Sequence, residues 1–200
     1  MVRLLCYCDE TSLYSNTTPV TVLLHSQELK KQSNTGALAA RCLKNSHLHL
    51  YGNQEHPLDW KTIILPNHRP LLLFPYANIT LTDVCESQSD GKPIQLIVPD
   101  GSWRQGNKMA RKASMHLPLQ RVALPDCGPS QYIIRKEKRH PTGLATIEAI
   151  AHSYRLLGEF AVYDGLMKEF KRLVNRALVA RGKLKPRSIL STPTADYLAP

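Results

Sequence analysis

The sequence predicts an α/β fold with a largely parallel sheet and helices on both faces. Short apolar runs with the length and β-branched content of strands recur along the chain. Several runs lack the polar alternation of a strand with one face in water, and segments with helical periodicity separate and follow them. Strands that are covered on both faces and alternate with helices are typical of parallel sheets.

Six apolar runs are predicted as strands. They are VTVLL at 20–24, HLHLY at 47–51, LLLF at 71–74, IQLIV at 94–98, RVAL at 121–124 and YIIR at 132–135. Pro99 follows the fourth run and cannot donate a ladder hydrogen bond, so we expect that strand to end at residue 98. The Asp-Gly pair after Pro99 then turns the chain.

Two helices are predicted between the strands. The first begins near Ala37, after the cap-like stretch Ser33-Asn34-Thr35-Gly36. The second runs from 103 to about 113, with Ser102 as its N-cap.

Two more helices form a predicted helical C-terminal segment. One follows Thr142 as its N-cap and ends at Gly158, and a longer helix ends at Gly182. The longer helix has an apolar stripe at helical spacing, which predicts a side that faces the core. Its basic residues are predicted on the remaining side: Lys168, Lys171, Arg172, Arg176 and Arg181.

Length and composition indicate one domain, which we place at 1–185, with 186–200 as a flexible tail. No apolar run approaches the ~20 residues of a membrane span, and the start of the sequence lacks the apolar region of a signal peptide. Five scattered cysteines do not form a disulfide framework. We therefore expect a cytoplasmic protein without a membrane partner. Its formal net charge of +10 favours polyanionic partners.

The stretch PDGSWRQGNKMARK at 99–112 concentrates the functional signals. Asp100 is predicted at the carboxyl end of a strand, the edge where open α/β sheets bind ligands. In a helix from 103 onward, three cations fall on one face: Arg104, Lys108 and Arg111. Spaced cations beside an indole suit RNA, because Trp103 offers a base a stacking surface. The alternative for the same residues is a turn carboxylate, a core tryptophan and a solvated basic face.

Two further segments favour an anionic ligand. The stretch from 23 to 43 leads from a strand into a helix N-terminus, which presents backbone N–H groups to an anion. YIIRKEKRHPTGLATIEAIA at 132–151 has five basic residues around one glutamate, followed by a helix with Glu148 in its first turns. An ordinary capped helix and a solvated loop are the alternatives for these segments taken singly.

Together these motifs resemble the DTW-domain family, the tRNA-uridine aminocarboxypropyltransferases. The Asp-x-Thr-Trp motif of the family corresponds to Asp100-Gly101-Ser102-Trp103, in which serine replaces the usual threonine and keeps the hydroxyl. RQGNKMAR follows directly. Further similarity lies in His25 with Glu28, the 33–36 stretch, LLLFP ending at Pro75, and YIIRKE with LATIEA. The resemblance extends from about Cys6 to Ile150.

The resemblance implies a SPOUT-like α/β fold with a deep C-terminal knot that holds S-adenosylmethionine. The implied reaction moves the 3-amino-3-carboxypropyl group to N3 of a uridine in tRNA and releases methylthioadenosine. The implied cofactor-binding residues are Phe74, Pro75, Asp100, Ser102, Leu124, Tyr132 and Glu148. The implied RNA-binding residues are Arg104, Lys108, Arg111, Arg135 and Lys136.

Two residues are implied as catalytic. Asp100 would be the base for N3 or the group that orients the imide, with Glu148 as the second carboxylate to consider. Trp103 would stack on a flipped uracil or shape the pocket. Two other hypotheses use the same residues: a SPOUT-type methyltransferase, and an RNA-binding module without catalysis. The modified uridine, its tRNA and the oligomeric state stay open.

Family members commonly carry a zinc knuckle of Cys-x-x-Cys followed by Cys-x-Cys. Here only Cys6-Tyr7-Cys8 corresponds to it, so residues 1–18 are interpreted as the remnant of a knuckle. Structural zinc takes four ligands, and the other cysteines are isolated in the sequence. We therefore expect no closed zinc site.

Overall fold

The structure, a computed structural model, describes residues 10–87, 91–135 and 143–185. Within these ranges five strands form one sheet: β1 Val20–His25, β2 Ser46–Tyr51, β3 Arg69–Leu73, β4 Ile94–Asp100 and β5 Gln120–Val122. Their order is β2-β1-β4-β3-β5, and every neighbouring pair is parallel. The predicted parallel α/β sheet is confirmed.

The described ranges also contain five α-helices: α1 Thr35–Cys42, α2 Leu81–Glu86, α3 Trp103–His116, α4 Thr146–Leu156 and α5 Phe160–Ala180. Short 3-10 turns lie at Ser26–Glu28, Trp60–Thr62 and Ile133–Arg135. No helix among the described residues is long and apolar enough to cross a membrane.

The helices cover both faces of the sheet, as predicted. On one face, Val22, Leu96 and Val98 pack with the buried sides of α1, α4 and α5. On the other face, Leu23 and Ile97 pack with the buried side of α3. Alternate residues of β4 thus enter different cores, because successive side chains of a strand point to opposite faces. Most residues of β1, β3 and β4 are buried on both sides, which accounts for their continuous apolar runs, whereas the edge strand β2 is partly exposed.

The prediction of a sixth strand at 132–135 was wrong. Residues Ile133–Arg135 form a 3-10 turn outside the sheet. The preceding backbone is held by a side chain instead of a strand, since the Glu148 carboxylate accepts a hydrogen bond from the Gln131 N–H at 2.7 Å. Tyr132 is buried and its hydroxyl donates to the Ser33 carbonyl at 2.7 Å.

The end of β4 and the start of α4 differ from the predictions. Strand β4 continues through Pro99, which pairs with Leu23, to Asp100. Helix α4 begins at Thr146 with Ala145 in the N-cap position, so Thr142 is not its cap. The Glu148 carboxylate accepts from the Ala145 N–H at 2.7 Å and takes over the capping role from within the helix. Thr142 itself lies outside the described residues, as do Cys6, Cys8 and the tail 186–200.

Arg176 was predicted on the side of the last helix away from the apolar stripe, but the structure buries it. Its guanidinium donates to both carboxylate oxygens of Glu10, at 2.8 and 2.7 Å. Nearby, the Tyr14 ring lies against Gly165, where an added Cβ would come within 2.4 Å of a ring carbon. The segment 10–18 therefore covers part of α5. The sequence pattern of the helix alone could not predict this contact, because the segment lies far away in the chain.

Candidate functional site

A cavity of about 510 Å³ opens at the carboxyl edge of the sheet, where β3, β4 and β5 end. Its wall is built from residues 73–76 at the end of β3, the turn between β4 and α3, residues 124–128 after β5, and the start of α4. The volume lies within the ~300–1,000 Å³ of small-molecule sites. The edge is also the one where open α/β sheets bind ligands.

The cavity wall contains several of the predicted cofactor residues: Phe74, Pro75, Ser102 and Leu124. Trp103 also lines the cavity, and it is half-buried instead of forming part of either core. Its ring centroid lies 6.2 Å from that of Tyr76, which in turn lies 5.7 Å from Phe74. Three neighbouring rings give the wall flat apolar surfaces suited to a heterocyclic base.

Asp100 lies behind this wall and is 5 % exposed. One carboxylate oxygen accepts from the Asn34 amide at 2.6 Å, and the other accepts from the Thr146 hydroxyl. Thr146 lines the cavity, whereas Asp100 is not among the residues that do so. The carboxylate therefore joins the N-terminal ends of α1 and α4, where negative charge is favoured by the helix dipoles.

Gly36 is required for this arrangement. A Cβ added there would lie 2.6 Å from Cγ of Asp100 and 2.9 Å from its Oδ2. The first turn of α1 thus approaches Asp100 so closely that no side chain fits between them. The predicted stretch at 33–36 owes its glycine to this close approach.

Two other predicted cofactor residues, Glu148 and Tyr132, brace the loop that follows β5. Glu148 is buried and accepts from the Ser130 hydroxyl at 2.6 Å, besides the two N–H groups described above. Tyr132 ties the same loop to Ser33. Neither residue lines the cavity. Their contacts hold residues 130–132, which follow the 124–128 wall in the chain.

The N-terminus of α3 is capped as predicted. Ser102 is the N-cap, and the Gln105 side chain accepts from the Ser102 N–H at 2.8 Å to complete a capping box. Gln105 also donates to the Gln27 side chain at 2.8 Å. The start of α3 is thereby fixed against the segment that follows β1.

An open cleft of about 860 Å³ lies beside the cavity along α3. The three cations predicted to share a face, Arg104, Lys108 and Arg111, all line it. Arg121 of β5 is a fourth cation in the wall, and its guanidinium donates to the Ser114 hydroxyl at 2.8 Å. No carboxylate is found among the described residues that line the cleft. A spaced set of cations without acidic neighbours suits a chain of phosphates.

The cavity and the cleft meet at Phe74 and Ser102, which line both. The remaining predicted RNA contacts are not placed, because Lys136 and the side chain of Arg135 lie outside the described part of the chain. Burial lowers the pKa of His25 in the cleft wall, and the neighbouring Lys108 lowers it further against the opposing effect of Glu28. The lowered pKa favours the neutral form of His25, so this residue adds little positive charge to the cleft.

Sequence reasoning missed four residues of this site: Asn34, Arg121, Asp126 and Thr146. Asn34 and Thr146 belong to quoted motifs, but their contacts with Asp100 join segments far apart in the sequence. Arg121 and Asp126 flank the carboxyl end of β5. Their position at the end of a predicted strand could have identified them as candidate site residues. Within the described ranges, no group of three histidine, cysteine or acidic side chains is arranged to hold a metal ion.

The fold and the site describe an α/β protein with a cofactor-sized cavity next to a basic cleft. The family model for the DTW domain matches residues 1–178, and the chain therefore belongs to the DTW-domain family. Membership is consistent with a role in tRNA modification. No solved structure matches the chain significantly.

Proposed function

We propose that the protein transfers the 3-amino-3-carboxypropyl group of S-adenosylmethionine to N3 of a uridine in tRNA. The observation that supports this function best is the shared wall of the cavity and the cleft at Phe74 and Ser102. A small donor in the cavity and a polyanion on the cleft would meet at the start of α3. Trp103, the first residue of α3, lines the cavity next to Ser102.

The residues of the cavity fit the donor. Its aromatic and aliphatic wall suits the adenine, and the hydroxyls of Ser102 and Thr146 with the Asp126 carboxylate offer polar partners. Bound S-adenosylmethionine supplies an electrophilic methylene carbon beside a positively charged sulfur, which leaves as a neutral thioether. The proposal includes the SPOUT-like knot and the cytoplasmic location expected from the sequence.

The protein's own groups would position the uridine. Trp103 offers a stacking surface for the uracil at the cavity mouth, while Arg104, Lys108, Arg111 and Arg121 bind phosphates along α3. Asp100 has two candidate roles, as the base that accepts the N3 proton or as the group that orients the Thr146 hydroxyl. Its two hydrogen-bonded partners and its place behind the wall support the second role.

The experiment that tests the function has two stages. Calorimetry of the full chain with S-adenosylmethionine first separates an enzyme from an RNA-binding module, because the module has no use for the donor. The protein is then incubated with tRNA and S-adenosylmethionine, and the released nucleoside is identified by mass spectrometry. Methylthioadenosine supports aminocarboxypropyl transfer. S-adenosylhomocysteine would instead establish a methyltransferase, and absence of donor binding would overturn both enzymes.

A further inference from the structure

Asp126 is the one charged side chain among the described residues that line the cavity. It follows β5 in the turn Pro125-Asp126-Cys127-Gly128 and is exposed. The turn is closed by a hydrogen bond of 2.9 Å from the Gly128 N–H to Oδ1 of Asp126. A carboxylate has about four acceptor positions on its two oxygens, so this bond leaves capacity for a ligand.

The rest of the lining does not compensate the charge. No lysine, arginine or histidine is present among the described lining residues, and burial raises the pKa of the Cys127 thiol so that it stays neutral. The cations of α3 line the neighbouring cleft instead. Among the described lining residues, Asp126 therefore carries the one charge that a ligand in the cavity would meet, and this charge favours a positively charged group on the ligand.

The donor of the proposed function has such a charge. S-adenosylmethionine carries an ammonium, a sulfonium and a carboxylate, so its positive charges outnumber its negative charge. The ammonium and carboxylate leave with the transferred group, and the sulfonium becomes a neutral thioether. The released methylthioadenosine thus has no charge for a carboxylate to recognise.

We propose that Asp126 binds the ammonium group of the donor and so distinguishes the donor from the released nucleoside. The inference rests on the proposed function, because it takes S-adenosylmethionine as the ligand of the cavity. It adds a specificity residue that the recognised motifs do not include. Its consequence is that the released nucleoside offers Asp126 no positive charge to bind.

The test is calorimetry of Asp126→Asn with three ligands. The asparagine oxygen still accepts from the Gly128 N–H, so the substitution removes the charge and keeps the turn. We expect S-adenosylmethionine and S-adenosylhomocysteine, which both carry the ammonium, to bind about tenfold more weakly, or ~1.4 kcal/mol. Methylthioadenosine should bind as it does to the wild type.

Asp59→Asn is the matched control. Asp59 is also exposed and accepts from the N–H two residues ahead, that of Lys61, at 3.0 Å, but it lies outside the cavity. Its affinities for all three ligands should equal those of the wild type. Thermal unfolding of both variants verifies that the folds are intact.

Each other outcome overturns the assignment. Equal weakening of all three ligands would place Asp126 on the shared nucleoside, and weakening of S-adenosylmethionine alone would place it near the sulfur. Unchanged binding by Asp126→Asn would leave the carboxylate as a turn residue while the proposed function stands. A wild-type protein that binds none of the ligands would overturn the proposed function together with the inference.

Discussion

The cavity and the cleft share two wall residues, yet their charges are opposite. Among the described residues, the cavity lining has a single charged side chain, Asp126, whereas the cleft lining has four cations and no carboxylate. The turn between β4 and α3 separates the two regions. A positively charged small molecule and a polyanion would therefore be drawn to different sides of the same turn.

The two regions also differ in how they are held. The cavity wall is braced from behind by buried carboxylates, with Asp100 between α1 and α4 and Glu148 on the loop after β5. In the cleft, the three cations of α3 are exposed side chains on the surface of one helix. Substitutions behind the cavity should thus disturb fold and chemistry together, while those in the cleft should change binding alone.

The largest effect is expected for Asp100→Asn. Asparagine cannot accept from both the Asn34 amide and the Thr146 hydroxyl, so stability should fall by ~1–3 kcal/mol and turnover by more than about a hundredfold. Urea unfolding and single-turnover kinetics measure the two losses. Thr146→Val and Thr146→Ser identify the role of Asp100. If Asp100 orients Thr146, the valine variant loses turnover and the serine variant keeps it; if Asp100 is only the base, both keep it.

Gly36→Ala should have the next largest effect. The new Cβ would lie 2.6 Å from Asp100 Cγ, so one of the two must move, at a cost of ~1–3 kcal/mol in the free energy of unfolding. Gly106→Ala is the control, because its Cβ would meet Phe74 at an ordinary 3.8 Å. Equal stability of the two variants in urea would show that the packing of α1 against Asp100 is loose.

Trp103→Ala tests the boundary between the regions. The ring lines the cavity mouth, and the ~1–3 kcal/mol of a single stacking interaction is small beside the summed phosphate interactions. We therefore expect turnover to fall by about tenfold or more while the affinity for tRNA changes little. Filter binding and kinetics on the same preparation give both values. A loss of tRNA affinity without a loss of turnover would instead indicate that Trp103 binds tRNA at the cleft.

The smallest effects are expected for single cations of the cleft. Lys108→Ala or Arg111→Ala should weaken binding to many tRNAs alike and make the log–log salt dependence shallower by ~0.7–0.9 for each phosphate that the variant no longer neutralises. Lys168→Ala, on the exposed side of α5, is the control for charge alone. If Lys168→Ala changes the slope and the cleft variants do not, RNA binds along the last helix instead.

Local signals predicted most of the fold. Five of the six proposed strands and the start of α3 behind Ser102 are present, because apolar runs, caps and turns act over a few residues. The face of the sheet on which the Asp100 side chain lies could also be predicted from the sequence. It shares the strand parity of Leu96 and Val98, which point toward α1 and α4 and away from α3.

The features that could not be predicted from the sequence depend on contacts between distant parts of the chain. The 132–135 run resembles a strand, but Glu148 accepts from the Gln131 N–H before it and Ser33 accepts from the hydroxyl of Tyr132 within it. Arg176 is on the polar side of a helical projection, yet it is buried and its guanidinium binds Glu10 from a distant part of the chain. Partners separated by more than a hundred residues, as Glu10 and Arg176 are, leave no periodic signal in either segment.

The contacts of residues 10–18 with α5 have a consequence for the order in which the protein folds. Glu10 pairs with Arg176, and the Glu159 carboxylate accepts from the backbone N–H groups of Thr17 and Thr18 at 2.7 and 2.8 Å. A ribosome makes the chain from its N-terminus, so these early residues emerge long before their partners. Residues 14–16 can bind residues 42–45 early, since the Tyr14 N–H donates to the Cys42 carbonyl at 2.7 Å and the Lys44 N–H donates to the Tyr14 carbonyl at 3.0 Å. The contacts of the segment with Glu159 and α5 are instead among the last to form, completed only after α5 has left the ribosome.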